Sequence, residues 1–361
     1  MIVLLSFSFS LCFVLLITPF VKRLGSQWGI LDQPDARKLH QIPMVRVGGL
    51  AILLGTLLSC GLSLALSIPS TSQEWLPVMG VLLASVGFFG IGFADDRWQL
   101  SPYWRLLLQA IVVAVVWLMG VQIHTLPIPL VGTVPLGMLS FPITFLWLAG
   151  VANAINWMDG MDGLATGITA IAAAMFALLA WQHQDMPVLI LALSLAGAAL
   201  GFWQYNRKPA QLYMGDGGSF FMGGMLAGIG LLSMNNSGFI ANAVPYIVLA
   251  VPIVDMVLVM LARIMNRRSI FFPDQRHIHH RLLRLNLSQS IVVWTIYSLV
   301  LWSGLGANYL LVSAWGWSSV IGVLSMLAFV NRTSLKLLPL SFLESSGINK
   351  ELNLYSQNKS V

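Results

Sequence analysis

Charge is what this sequence has least of. Of its 361 residues only 9% are Asp, Glu, Lys or Arg, against about 25% in a soluble globular domain. No stretch is both polar enough and long enough to fold alone in water. One integral domain over residues 1–331 is therefore expected, with a polar, poorly ordered tail at 332–361. Cysteine is nearly absent too: Cys12 and Cys60 both lie in apolar runs, so no disulfide framework is available. There is no HExxH pattern of a zinc hydrolase. There is no internal repeat either, so the inverted-repeat signature of many transporters is missing. No basic residue precedes the first apolar run, whereas Lys22 and Arg23 follow it. A secretory signal has the opposite polarity, so residues 2–21 read as a retained spanning helix.

What is present in quantity is apolar surface: 57% of residues are hydrophobic and the mean hydropathy is +0.82. A helix crosses a bilayer in about 20 such residues. Suitable runs lie near 2–21, 47–68, 77–94, 104–122, 141–158, 164–182, 188–204, 217–234, 244–263, 291–310 and 315–331. The expected fold is all-α, a polytopic membrane helix bundle of about eleven spans. With the N-terminus outside, all 19 Lys and Arg residues fall on the inner side, so the C-terminus is placed in the cytoplasm. The formal charge of +6 is thereby a membrane-topology signal, and no nucleic-acid partner is expected.

Acidic residues gather where these runs end on the same inner side. Asp95 and Asp96 close the third run, at the negative end of a helix where an anion is disfavoured. Arg97, Arg105 or a metal ion would offset them; a solvated turn is the plainer alternative. Ser101-Pro102 then starts the fourth run as an N-cap with Pro at the first turn. Asn153, Asn156, Asp159 and Asp162 recur in NAINWMDGMDG; if the segment is helical, this i, i+3 spacing gives them one face. Asp162 could instead cap the sixth span. Gly215, Asp216, Gly217 and Gly218 precede the eighth run, where glycines leave backbone N–H groups open to an anion. Asp216 there suits Mg²⁺, which takes one or two carboxylates plus substrate phosphates; the plainer alternative is a flexible turn. His277, His279 and His280 stand beside Arg276 and Arg281, surroundings that favour a phosphate over a cation. Asp255, within the ninth run, reads as a structural acid paired with a neighbouring helix. Arg37, Lys38 and His40 lie in a basic first loop able to hold an anionic phosphate.

Together PDARKLHQIPMVRVGG, DDRWQLSPYWRLLLQ, NAINWMDGMDGLATG, MGDGGS and HIHH resemble the polyprenyl-phosphate N-acetylhexosamine-1-phosphate transferase family, glycosyltransferase family 4. The resemblance implies a phosphotransferase of the plasma membrane with its active site on the cytoplasmic face. Such an enzyme moves a sugar 1-phosphate from a UDP-N-acetylhexosamine to undecaprenyl phosphate, releases UMP, and starts cell-envelope polysaccharide synthesis. It implies Mg²⁺, or Mn²⁺ in its place, and is compatible with a homodimer. HIHH is similar to the branch that uses UDP-N-acetylglucosamine, with phospho-MurNAc-pentapeptide transfer as the alternative. Carried over, Asp95, Asp96, Asp159 and Asp162 take catalytic roles, with Asp216 and Asn156 at the metal. Asn153, Arg37, Lys38, His40, Gly215, His277, His279, His280 and Arg281 bind substrates. An ion- or proton-coupled transporter is the competing class; it would keep its acids near the bilayer midplane rather than at one edge.

Overall fold

A computed structural model of the chain describes residues 2–32, 43–66, 75–128, 131–234, 239–267, 269, 276–310 and 322. They form twelve α-helices: α1 (Ile2–Trp28), α2 (Gly49–Leu66), α3 (Trp75–Trp98), α4 (Pro102–Leu118), α5 (Ser140–Met158), α6 (Leu164–Gln182), α7 (Met186–Asn206), α8 (Gly215–Ser233), α9 (Phe239–Val248), α10 (Ala250–Met265), α11 (Ile278–Leu283) and α12 (Gln289–Leu310). Seven are long and apolar enough to cross a membrane, or eight if the bent α9–α10 pair counts as one span. Each of the first ten apolar runs therefore meets helix. The eleventh run, apart from Gly322, and the tail lie outside the described residues.

Helix α8 is the axis of the bundle. Every residue from Gly215 to Ser233 except Asp216 is buried, and α2, α3, α5, α6 and α7 pack around it. Glycines on both sides let backbones come close: a Cβ on Gly223 of α8 would run into the main chain of Ala152, and one on Gly92 of α3 into that of Asp216. That approach is what brings the end of α3, with Asp95 and Asp96, against the start of α8. The α1–α2–α7 seam is held differently, by buried hydroxyls. Ser6 donates to Ser63 at 3.0 Å, Ser59 to the Ser6 carbonyl at 2.6 Å, and Ser59 meets Ser194 at 2.9 Å. Interhelical bonds of this kind contribute on average about 0.6 kcal/mol each in a bilayer.

Three features differ from the expectation of unbroken helices. Helix α1 continues past residue 21 to Trp28 because nothing in KRLGSQW breaks it; it ends at Gly29, whose φ is +67°. The ninth apolar run bends by 70° at Leu249. Pro252 cannot donate a hydrogen bond to the Val248 carbonyl and its ring crowds that oxygen, so the helix breaks one turn before it. Two short antiparallel ladders also interrupt the all-α pattern. Leu31–Asp32 (β1) pairs with Met44–Val45 (β2), and Thr125–Ile128 (β3) pairs with Gly132–Pro135 (β4). Gly132, at φ +99°, supplies the conformation that this second hairpin needs.

Candidate active site

Four elements distant in sequence meet at one end of α8, and a single arginine joins them. Arg46, just after β2, places Nη2 at 2.7 Å from Asp216 Oδ1 and Nε at 3.0 Å from Asp96 Oδ1, with Asp32 at 3.8 Å. Burial alone would lower the pKa of this guanidinium, but Asp216, Asp96, Asp32 and Asp159 together raise it above its ordinary value. Asp96 is anchored by the Gly217 N–H, which donates to Oδ2 at 3.1 Å. The backbone donor expected to await an anionic ligand at the start of α8 thus already serves a side chain. Asn156, from the last turn of α5, donates to Asp216 Oδ1 at 3.0 Å and to Ser219 Oγ at 2.9 Å. Asp95 is bound by Arg105 at 2.8 Å.

Asp159 caps the C-terminus of α5. Burial pushes its pKa well above the ordinary carboxylate value; Arg46 opposes this, and Asp216, Asp96 and Asp162 add to it. So many carboxylates around one arginine leave the cluster short of positive charge. A cavity of about 350 Å³ opens beside it, lined in part by Asp32, Arg46, Asp95, Asp96, Arg97 and Gln99.

The histidines build a second wall, set against the MDG loop at Gly160 and outside the lining of that cavity. His277 precedes α11, and its Nδ1 lies 2.8 Å from Asp255 Oδ2. Its ring meets Trp157 edge-on at 5.4 Å between centroids and lies parallel to His279 at 5.8 Å. Arg263 stacks over the opposite partner, Trp157, at 4.9 Å. His279 is buried, and a Cβ on Gly160 would collide with its imidazole, so the MDG loop and the histidine segment interlock there. Burial, followed by the neighbouring imidazoles of His280 and His277, holds the pKa of His279 well below its ordinary value. His280 is half-buried and Arg281 is buried.

The expected common face of Asn153, Asn156, Asp159 and Asp162 does not form, because α5 ends at Met158. Asn153 turns to α4, donating to Gln109 Oε1 at 3.0 Å and to the Ala149 carbonyl. Asp162 accepts from the Ala210 N–H at 3.1 Å and does not cap α6, whose N-cap is Gly163 in a left-handed conformation. Gly215, at φ +73°, starts α8 against the Asp96 carboxylate. Of the charges proposed to offset the acid pair, Arg105 does so and Arg97 is exposed. Ser101 caps α4 as expected. Arg37, Lys38 and His40 lie outside the described residues. Arg46, Asp32 and Ser219 were not singled out as site residues by sequence reasoning. An arginine two positions before the Gly48–Gly49 pair was the available signal for the first.

The donor set fits a hard divalent cation. Asp95, Asp96, Asp216 and Asn156 offer only oxygen for ligation. The buried Asp96 Oδ1 makes an ion pair with Arg46 but no hydrogen bond, which leaves it an under-used acceptor. Among the described residues no group of three His, Cys, Asp or Glu side chains is arranged to enclose a metal.

The profile of glycosyl transferase family 4 matches residues 78–234, the stretch that carries Asp95, Asp96, Asn156, Asp159, Asp162 and Asp216. The chain is 36% identical over 297 residues to a probable undecaprenyl-phosphate N-acetylglucosaminyl 1-phosphate transferase of Bacillus subtilis, covering 82% of this chain and 81% of that one. It is 36% identical over 313 residues to a decaprenyl-phosphate N-acetylglucosaminephosphotransferase of Mycobacterium tuberculosis, covering 80% and 76%. A phospho-N-acetylmuramoyl-pentapeptide-transferase of Halalkalibacterium halodurans is 30% identical over 306 residues, covering 81% and 92%.

Proposed function

The chain belongs to glycosyl transferase family 4, and on that premise we propose that it transfers N-acetylglucosamine 1-phosphate from UDP-N-acetylglucosamine to undecaprenyl phosphate. A phosphate oxygen of the lipid attacks the sugar-bearing phosphorus of the nucleotide sugar. The bond to the bridging oxygen breaks and UMP leaves with that oxygen. The observation that carries this reading is the convergence of Asp96 and Asp216 on Arg46, with Asn156 bonded to Asp216, Asp95 held beside them by Arg105, and His279 closing on Gly160.

Both substrates are anions, so the protein has to bring two negative groups together and neutralise the charge they share. Asp216, with Asn156 and the neighbouring Asp95 and Asp96, would hold Mg²⁺, which supplies that neutralisation on the diphosphate when bound. Arg46, whose guanidinium already bridges Asp96 and Asp216 at the edge of the cavity, would serve as a phosphate ligand. His277, His279, His280 and Arg281 receive the donor's diphosphate and sugar. Asp95, set by Arg105, faces the lipid phosphate. That phosphate has a second pKa near 6 and needs little help to become a dianion, so we take the attack as direct, without a phosphoenzyme.

The positive-inside distribution supports a cytoplasmic site with the N-terminus outside. Cysteine placed at Ser101 should resist an impermeant thiol reagent applied to intact cells, and its labelling from outside would overturn the orientation.

Supplying the purified protein and Mg²⁺ with undecaprenyl phosphate and a panel of UDP-sugars tests the activity. UMP release with UDP-N-acetylglucosamine is expected. Turnover of UDP-MurNAc-pentapeptide instead would favour the second reading, which rests on the Halalkalibacterium relative.

A further inference from the structure

Asp255 is a buried acid on α10, one turn beyond the Pro252 that bends the run, and neither of its oxygens is idle. Oδ2 lies 2.8 Å from His277 Nδ1, and Oδ1 accepts from the Ile278 backbone N–H at 2.7 Å. The two bonds take hold of consecutive residues where the chain enters α11. His277 does not cap that segment with its own side chain; the acid from α10 provides the acceptor. From there the geometry runs on: the His277 ring abuts Trp157, His279 lies parallel to it, and His279 fills the space over Gly160. One carboxylate therefore sets the height and rotation of the histidine wall above the acid cluster.

It also selects a tautomer. An ionised carboxylate only accepts, so Nδ1 of His277 carries the hydrogen of that bond. Nε2 is then the nitrogen left for a ligand: an acceptor when the ring is neutral, a donor to a phosphate oxygen when it is protonated. Buried carboxylates are costly unless fully hydrogen-bonded, and this one spends both oxygens on the start of a segment whose Ile278 and Leu282 are buried in the core.

We propose that Asp255 is a positioning residue that seats the His277–Leu283 segment against the Trp157–Gly160 loop and presents His277 Nε2 to the diphosphate of a nucleotide donor. This rests on the transferase reading for the identity of the donor, so the test uses UDP binding and needs no turnover.

The full-length protein in lipid nanodiscs is compared with Asp255→Ala and Asp255→Asn. Alanine removes both bonds. Asparagine keeps an acceptor for Ile278 but turns an amide N–H₂ toward His277, so Nδ1 can no longer donate there and the doubly protonated ring, the form that bonds the acid from Nδ1 while donating to a phosphate from Nε2, is lost. In Asp255→Ala, amide hydrogen exchange over 277–283 should quicken at least about tenfold, and the dissociation constant for UDP should rise about 10–100-fold, as for other partners that orient a ligating histidine. Asp255→Asn, at an unchanged melting temperature, should exchange near the wild-type rate yet still lose about tenfold in UDP affinity. Where turnover is measurable, KM for the lipid phosphate should stay within about twofold while KM for the donor rises.

Unchanged exchange in Asp255→Ala would overturn the anchor. Raised exchange with unchanged UDP affinity would overturn the link to the donor. If Asp255→Ala does not accumulate, Asp255→Asn decides: wild-type UDP affinity there overturns the proposal. Absence of UMP release by the wild-type protein would sink the transferase reading alone, and it shows up independently of these measurements.

Discussion

Two carboxylate settings, one around Arg46 and one at Asp255, are built on opposite plans. Around Arg46, the carboxylates of Asp32, Asp96 and Asp216 share one guanidinium, Asp159 lies close by, and Asp96 Oδ1 has no hydrogen bond. At the other wall a single acid, Asp255, has both oxygens bonded. An over-supplied acid cluster is unfavourable until a cation arrives, whereas a fully bonded acid is finished without one. The first plan suits chemistry and the second suits alignment.

The sharpest way to break that contrast is at Asp216. Asp216→Asn should lower transfer by about a thousandfold or more, on the scale of losing a principal transition-state charge contact, while the protein still inserts and melts near the wild-type temperature. Retention of most activity at saturating Mg²⁺ would move the metal site elsewhere.

A smaller loss is expected where the two walls touch. Gly160→Ala places a methyl group in the His279 imidazole, so donor KM should rise by about tenfold with kcat less affected. An unchanged donor KM would show that the walls are not interlocked.

Acid should loosen the histidine wall. The pKa of His279 is held down in the folded protein by burial and by His280 and His277, so below the unfolded value of about 6.5 the unfolded chain binds more protons. The stability it supports is present above about pH 6.5 and declines as the pH falls below it. Melting temperature measured from pH 7.5 to 5.0 should drop, and His279→Gln should flatten that dependence. An equally steep profile in the variant would assign the acid sensitivity to other groups.

The least effect on activity is expected at Asn153. Because it engages Gln109, Asn153→Ala should cost about 1–2 kcal/mol of stability through the unpaired glutamine, with transfer within a fewfold of wild type in the same preparation. A large kcat loss would return Asn153 to the substrate.

Much of this arrangement is legible in the chain. Ten apolar runs correspond to helices, and the one-sided placement of Lys and Arg predicts that the acid motifs share an end, as the convergence on Arg46 bears out. Other features depend on relations that spacing does not encode. The i, i+3 pattern from Asn153 to Asp162 looks continuous, yet α5 stops at Met158 and each side chain finds a different partner. Asp255 reads as a structural acid paired with a neighbouring helix, and it does bond the start of α11 at His277 and Ile278; only the packing reveals which helix. The bend at Leu249 was open to prediction, since Pro252 removes the hydrogen bond it lacks.

The central claim is that the crowded acid cluster transfers a sugar phosphate. Its most direct test is UMP release by the purified protein from UDP-N-acetylglucosamine, with undecaprenyl phosphate and Mg²⁺, beside Asp216→Asn. The account predicts UMP in equal amount to a new lipid-diphosphate sugar, dependent on the metal and absent in the variant. UMP formed without the lipid product, or undiminished in Asp216→Asn, would contradict it.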